Sequence, residues 1–323
     1  MRFLSPTRKK KVVVIGGGTG SFVMLRGLKE YPFDITAVVT MFDSGGSSGI
    51  LRDEFGVLPP GDARRCLVAL SGGEREETLR SLFNFRFNNP GSTLHGHNFG
   101  NLFLTALAHI KSDDAEAIAE AGKLLNIKGT VLPVSVHKSQ LCAELEDGSI
   151  IEGETNIDIP KHDGSKRIEK VFLKPEAHVY EKTREAITQA DMIIIGPGDL
   201  YTSIIPNLLV KGVSEAIRES RAKKVYILNL MTKWGETHGF CASDFAREVL
   251  LYLGMKHFDV IVGNSKVVPS PLLKGYEAEK KYPVIIDGAL SQYGGKIVID
   301  DIYDDTSVLR HDSHKIAAII GKL

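Results

Sequence analysis

Cysteine is scarce in this 323-residue chain, and what is missing narrows its role. Cys66, Cys142 and Cys241 are its only cysteines, far apart and in no C-x-x-C pair. A disulfide-stapled secreted fold is therefore not expected, and a reducing cytoplasm is the simplest setting. Charge of one sign is lacking too, since 40 Lys and Arg face 40 Asp and Glu. With no net field, neither nucleic acid nor an anionic membrane is an expected partner. No apolar run is long enough to cross a bilayer. No apolar signal-peptide region follows the basic extension at residues 1–10. What remains, 43% hydrophobic and 25% charged residues, fits a globular protein with a full core.

The stretch Val12-Val13-Val14-Ile15-Gly16-Gly17-Gly18-Thr19-Gly20-Ser21 organises the rest. Four β-branched residues predict a short buried strand. The glycines allow a sharp turn that brings backbone N–H groups near a ligand. Thr19 and Ser21 read as caps for a helix with Phe22, Leu25 and Leu28 on one face. Strand, glycine turn and helix together open a Rossmann-type unit. The frame is imperfect: Ser21 stands where G-x-G-x-x-G needs glycine, and no Walker lysine follows. A tight turn without a ligand is the plain alternative.

Asp43, after a second apolar run from Ile35 to Val39, is placed to meet a ribose hydroxyl. Ser44-Gly45-Gly46-Ser47-Ser48-Gly49 then offers hydroxyls and open amides suited to phosphate, although such runs also serve as linkers. After Pro59-Pro60-Gly61, Asp62 reads as the N-cap of a helix containing Leu67 and Leu70. Arg64 and Arg65 on that helix either neutralise phosphate or sit on a solvated face. His95 and His97 lack a third ligand at recognisable spacing, and no metal site is assigned. Asn98 and Asn101, at the entrance to an apolar helix, read a ligand or cap the helix. Asp113 starts a further amphipathic helix.

From residue 134 to 180 the texture changes to short strands with Asp147-Gly148 and Asp163-Gly164 turns. Leu141–Glu146 and Ser149–Glu154 are expected to pair across the first turn. An inserted β-rich subdomain within a single 11–323 domain is expected, its role not legible. The α/β rhythm resumes at Met192–Ile195 and ends in Gly196-Pro197-Gly198-Asp199, with Thr202 and Ser203 at the next helix. Asp199 holds a metal, positions a hydroxyl, or caps Thr202. A helix is expected from Pro206 to about Ser220. Asn229 closes the next strand, and the only tryptophan, Trp234, either lines a pocket or packs. These loops all follow predicted strands, so a parallel sheet would gather them at one edge. The expected fold is α/β, a Rossmann-like three-layer arrangement with a mostly parallel sheet.

Taken in order, Gly16-Gly17-Gly18-Thr19-Gly20, Gly45-Gly46-Ser47-Ser48-Gly49, Leu58-Pro59-Pro60-Gly61-Asp62, Gly96-His97-Asn98-Phe99-Gly100-Asn101, Gly196-Pro197-Gly198-Asp199-Leu200-Tyr201-Thr202-Ser203 and Gly235-Glu236-Thr237 resemble the YvcK-like gluconeogenesis factors of the CofD-like superfamily. The resemblance covers about Lys11 to Asn264. It implies a cytoplasmic bacterial protein tied to cell shape and cell-wall homeostasis during gluconeogenic growth. It also implies a UDP-sugar ligand such as UDP-N-acetylglucosamine. The implied contacts are Gly16 to Gly20, Asp43 to Ser48, Asp62, Asn98, Asn101, Gly196 to Ser203 and Asn229. Three positions depart from the pattern. Asp43-Ser44 stands where many relatives have two acids, Arg65 where asparagine is frequent, and Lys233 where glutamine is common.

A non-catalytic nucleotide-sugar sensor is the leading expectation. The CofD branch supplies the rival, a 2-phospho-L-lactate transferase acting on the deazaflavin Fo with a guanylyl-activated donor and Mg²⁺. A hydride-transferring dehydrogenase comes third, because no second-domain His/Arg/Asp arrangement is recognisable. A homo-oligomer is compatible with the chain. Gly17→Val is expected to abolish nucleotide binding with little effect on the fold.

Overall fold

Alternation along the first strand divides the core in two. In β1 (Lys10–Gly16), Val12 and Val14 join one apolar cluster while Val13 and Ile15 join another. Successive side chains of a strand point to opposite faces, so a strand buried on both sides belongs inside a parallel sheet. A computed structural model describes residues 8–73, 76–304 and 308–323. Residues 1–7 of the expected basic extension lie outside the described residues.

The other strands of three or more residues are β2 (Phe33–Val39), β3 (Thr130–Pro133), β4 (Gln140–Leu145), β5 (Ile150–Glu152), β6 (Ile168–Lys174), β7 (Met192–Ile195), β8 (Lys223–Ile227), β9 (Phe258–Asn264) and β10 (Gly294–Asp300). Seven of them form one sheet in the order β10-β9-β8-β7-β1-β2-β3, and every pairing within it is parallel. β1 pairs with β2 through Val12↔Ile35 and with β7 through Val12↔Met192. The chain therefore winds outward from β1 to β3, returns beside β1 at β7, and winds the other way. That reversal creates a crevice at the carboxyl ends of β1 and β7, where doubly wound sheets take ligands. The α/β Rossmann-like expectation holds.

Helices cover both faces. Leu25 and Leu28 of helix Gly18–Leu28 and Leu67 of helix Gly61–Leu70 fill one cluster. Tyr201, Ile217 and Phe245 fill the other. The insert is a separate antiparallel sheet, β5-β4-β6. Its second strand stops at Glu152, and Glu154–Asp158 turns into a short helix after Gly153 at φ 94°. The helix expected from Pro206 to Ser220 is interrupted: Ile205–Leu208 ends, and Val213–Glu219 begins after Gly212 at φ 95°. A left-handed residue cannot continue a right-handed helix, which is why the run breaks there. The three cysteines are free. Among the described residues no helix is long and apolar enough to cross a membrane.

Candidate functional site

Three helices begin at the crevice, two of them directly after a glycine. Gly17 precedes helix Gly18–Leu28, and Gly45 precedes helix Gly46–Phe55. Helix Gly61–Leu70 starts after Pro60. Helix N-termini carry partial positive charge and unmatched N–H groups, so their convergence favours an anion. Gly18 at φ 64° and Gly46 at φ 46° adopt the left-handed conformation that these starts require. A cleft of about 670 Å³ lies over them, within the range of roughly 300–1,000 Å³ usual for small-molecule sites.

The cleft joins loops remote in sequence. Gly17 to Gly20, Asp43, Gly45 to Ser48, Asp62, Asn101, Gly198, Asp199, Thr202 and Ser203 all line it. Gly16, Asn98, Gly196, Pro197 and Asn229 are not among its lining residues and stand behind it. Asn98 caps helix Phe99–Lys111 by accepting from the Asn101 N–H at 3.2 Å, and its own N–H donates to Ser47 Oγ. Asn229 Nδ2 donates to the Gly198 carbonyl at 2.7 Å, fixing that loop. His97 is buried and shares a 3.3 Å hydrogen bond between its Nδ1 and Ser47 Oγ, while His95 is exposed.

Several local expectations are corrected. Asp62 does not cap its own helix; its Oδ1 accepts from Gly18 N–H at 2.9 Å and so caps the helix after β1. Thr19 and Ser21 are not caps either, because the helix already starts at Gly18 and both lie within it. Gly17→Val would not simply fill a phosphate's approach. A Cβ on Gly17 collides with the Asp62 carboxylate and comes within 2.8 Å of Thr40 Cγ2. Gly20 is equally confined, since a Cβ there collides with the Pro197 carbonyl. These glycines let two loops pack on each other, and substituting either deforms the loops themselves.

The two walls differ in charge. On one side stand Arg64, Arg65 and Arg86. Arg64 is buried; its Nε donates to Asn101 Oδ1 at 2.9 Å, and its Nη1 to Asn84 Oδ1 at 2.7 Å. Burial, then the neighbouring Arg65 and Arg86 charges, lower it to about 10, so it remains a cation at neutral pH. Arg65 Nη1 reaches Asp62 Oδ1 at 3.4 Å with its side chain 44% exposed. Arg86 donates to the Gly96 carbonyl. On the other side, the insert contributes Glu154 and Asp158, and the β7 loop contributes Asp199. Burial, followed by the charges of Asp43 and Asp158, pushes Glu154 up to about 8. Burial likewise raises Asp62 to about 6, against the pull of Arg65.

Two buried hydroxyls facing this cleft have nothing to bond. Thr40 is 3% and Thr202 4% exposed, and their Oγ1 atoms have no hydrogen-bond partner among the described residues. Buried polar groups are normally satisfied, so such orphans await water or a ligand.

Glu154 and Asp158 were not singled out by the sequence reading, and Glu236 figured only within the Gly235-Glu236-Thr237 motif, without a role. Glu154 and Asp158 lay in a stretch with hairpin texture, and only the helix after Gly153 turns them toward the cleft. Among the described residues, one acidic group could gather around a metal: Asp158, Asp199 and Glu236, whose ligand oxygens lie within 4.8 Å of one another. Lys233 already stands there, its Nζ 2.9 Å from Asp199 Oδ2, 2.8 Å from Glu236 Oε1 and paired with Asp158 Oδ1. An ammonium among the carboxylates does not fit a divalent ion at the same point, because like charges at that range repel strongly. Trp234 lies beside this loop and is not among the cleft's lining residues. Its indole abuts Gly164 of the insert, with Lys280 Nζ 3.9 Å above the ring.

Comparison with known proteins places the chain. A profile of the 2-phospho-L-lactate transferase CofD matches residues 12–303. The gluconeogenesis factor of Halalkalibacterium halodurans is 46% identical over 316 residues, 97% of this chain and 96% of that protein. The gluconeogenesis factor of Bacillus subtilis is 44% identical over 319 residues, 98% of each chain. The crystal structure of a Bacillus halodurans protein matches with a TM-score of 0.91 and 44% identity, over 97% of this chain and 99% of that one. The chain therefore belongs to the CofD family and, within it, to the gluconeogenesis factors.

Proposed function

We propose that the cleft binds a nucleotide sugar of the UDP-N-acetylglucosamine type. On this reading the chain is a cytoplasmic regulator of gluconeogenic growth and cell-wall homeostasis rather than an enzyme. The observation that carries the reading is the cleft's division into a cationic and an acidic wall, with orphaned Thr40 and Thr202 hydroxyls. A diphosphate suits Arg64, Arg65 and the helix N-termini, since guanidiniums and open amides both match phosphate oxygens. Ribose and sugar hydroxyls suit the opposite wall, where carboxylates accept and a protonated Glu154 donates. Asp62 is engaged with Gly18 and Arg65, and Asp158, Asp199 and Glu236 with Lys233. With these acids occupied in internal contacts, binding is better supported than phosphoryl transfer. The name gluconeogenesis factor, borne by the relatives, supports the regulatory role.

The family profile keeps a CofD-type transferase as the rival, and one experiment separates the two. Calorimetry with UDP-N-acetylglucosamine, GDP and NAD, each with and without Mg²⁺, is expected to show magnesium-independent binding of the UDP-sugar alone. Magnesium-dependent GDP binding with turnover of Fo would replace the sensor with the transferase. Tight binding of NAD only would overturn both.

A further inference from the structure

We propose that Lys233 is a tethered cation standing in the place of a divalent metal, so that Asp158, Asp199 and Glu236 take no metal of their own. The stoichiometry is the first ground. An ammonium has three N–H donors and no acceptor, and here three carboxylates surround it: Asp158 and Asp199 accept its hydrogen bonds and Glu236 Oε1 completes the set as an ion pair at 2.8 Å. A metal such as Mg²⁺ would need near-octahedral oxygen coordination at roughly 2.1 Å instead.

Confinement is the second ground. Lys233 and Glu236 belong to one turn, in which Lys233 N–H donates to Thr237 Oγ1 at 3.0 Å and Glu236 N–H to the Lys233 carbonyl at 3.2 Å. The Lys233 side chain is 17% exposed and that of Glu236 1%. Burial works to lower the pKa of Lys233, but Glu236, Asp199 and Asp158 hold it well above its usual range. The cation is thus permanent. It also spans the fold, since Asp158 comes from the insert, Asp199 from the β7 loop and Glu236 from the β8 loop. A free ion would make that junction depend on metal supply; a lysine does not.

Manganese alone, titrated into the full chain and followed by electron paramagnetic resonance, tests the assignment. Lys233→Met is expected to gain one Mn²⁺ site, roughly tenfold or more tighter than any binding by the wild type. Adding Asp199→Asn to that variant should remove the gained site, and Lys233→Arg should gain none. A folded Lys233→Met variant that binds no more Mn²⁺ than the wild type would overturn the proposal. So would a wild-type Mn²⁺ site that disappears in Asp199→Asn. This second comparison decides the matter even if Lys233→Met fails to fold, with unchanged binding supporting the tethered cation. No nucleotide is present, so the outcome is independent of whether the cleft binds UDP-sugars.

Discussion

Two acidic groups, one in the cleft and one at its edge, are kept in balance by different means. Asp158, Asp199 and Glu236 close around the ammonium of Lys233. Asp43, Asp62 and Glu154 have no such centre: Arg65 reaches Asp62 from 3.4 Å, Asp43 Oδ1 accepts from Gly45 N–H, and Glu154 accepts from Ser44 N–H. Where a cation is built in, the contact works as a clasp, although burial still raises Glu236 to about 7 against the pull of Lys233. Where it is not, burial raises Glu154 to about 8 and Asp62 to about 6. Each group thus holds a buried carboxyl that burial lifts toward neutral pH, and what separates the two groups is the cation at the centre of the first.

The largest effect should come from opening the clasp. Lys233→Met leaves three carboxylates facing one another without their cation and should lower unfolding stability by about 3 kcal/mol, measured by urea denaturation. A loss close to zero would show that the clasp adds little and that the contrast between the groups is superficial.

Arg65→Ala acts on the other group. It removes one guanidinium from the cationic wall and should weaken UDP-N-acetylglucosamine binding roughly tenfold by calorimetry. Stability should change little, because the side chain is 44% exposed. Unaltered affinity would move the diphosphate away from this wall.

The smallest effect concerns protons. A carboxyl whose folded pKa lies above its unfolded value contributes stability at low pH that is lost as pH rises through the folded pKa. For Glu154 that window runs from its ordinary value of 4.5 to about 8. Glu154→Gln should therefore match the wild type near pH 5 and exceed it by about 1 kcal/mol near pH 9 in urea melts. Nucleotide-sugar affinity should also rise as pH falls through this window, and the variant should flatten that slope. A wild-type profile without slope would mean that Glu154 does not titrate in this window.

Much of this was legible before any coordinates. The runs rich in β-branched residues at Val12–Ile15, Ile35–Val39 and Met192–Ile195 became adjacent parallel strands, because largely apolar character in short segments has few other solutions. The glycine loops following them had to share an edge, and the segments around Gly17, Gly46 and Gly198 do line one cleft. What failed were assignments that depend on a partner far along the chain. Asp62 looked like a cap for the helix beside it, yet it serves Gly18, 44 residues away. Lys233 stood out only as an added positive charge. Its meaning required Asp158, in a segment of hairpin texture, to be brought within bonding distance by tertiary packing. Spacing rules see neighbours on one element, and both of these contacts join different ones.

Trp234 has a use of its own. It is the chain's one indole, wedged between the insert at Gly164 and the ammonium of Lys280. Any widening or narrowing of the gap between insert and sheet must change what that ring touches. The protein thus carries its own optical gauge, and ultraviolet-excited emission reports on that gap with no dye attached.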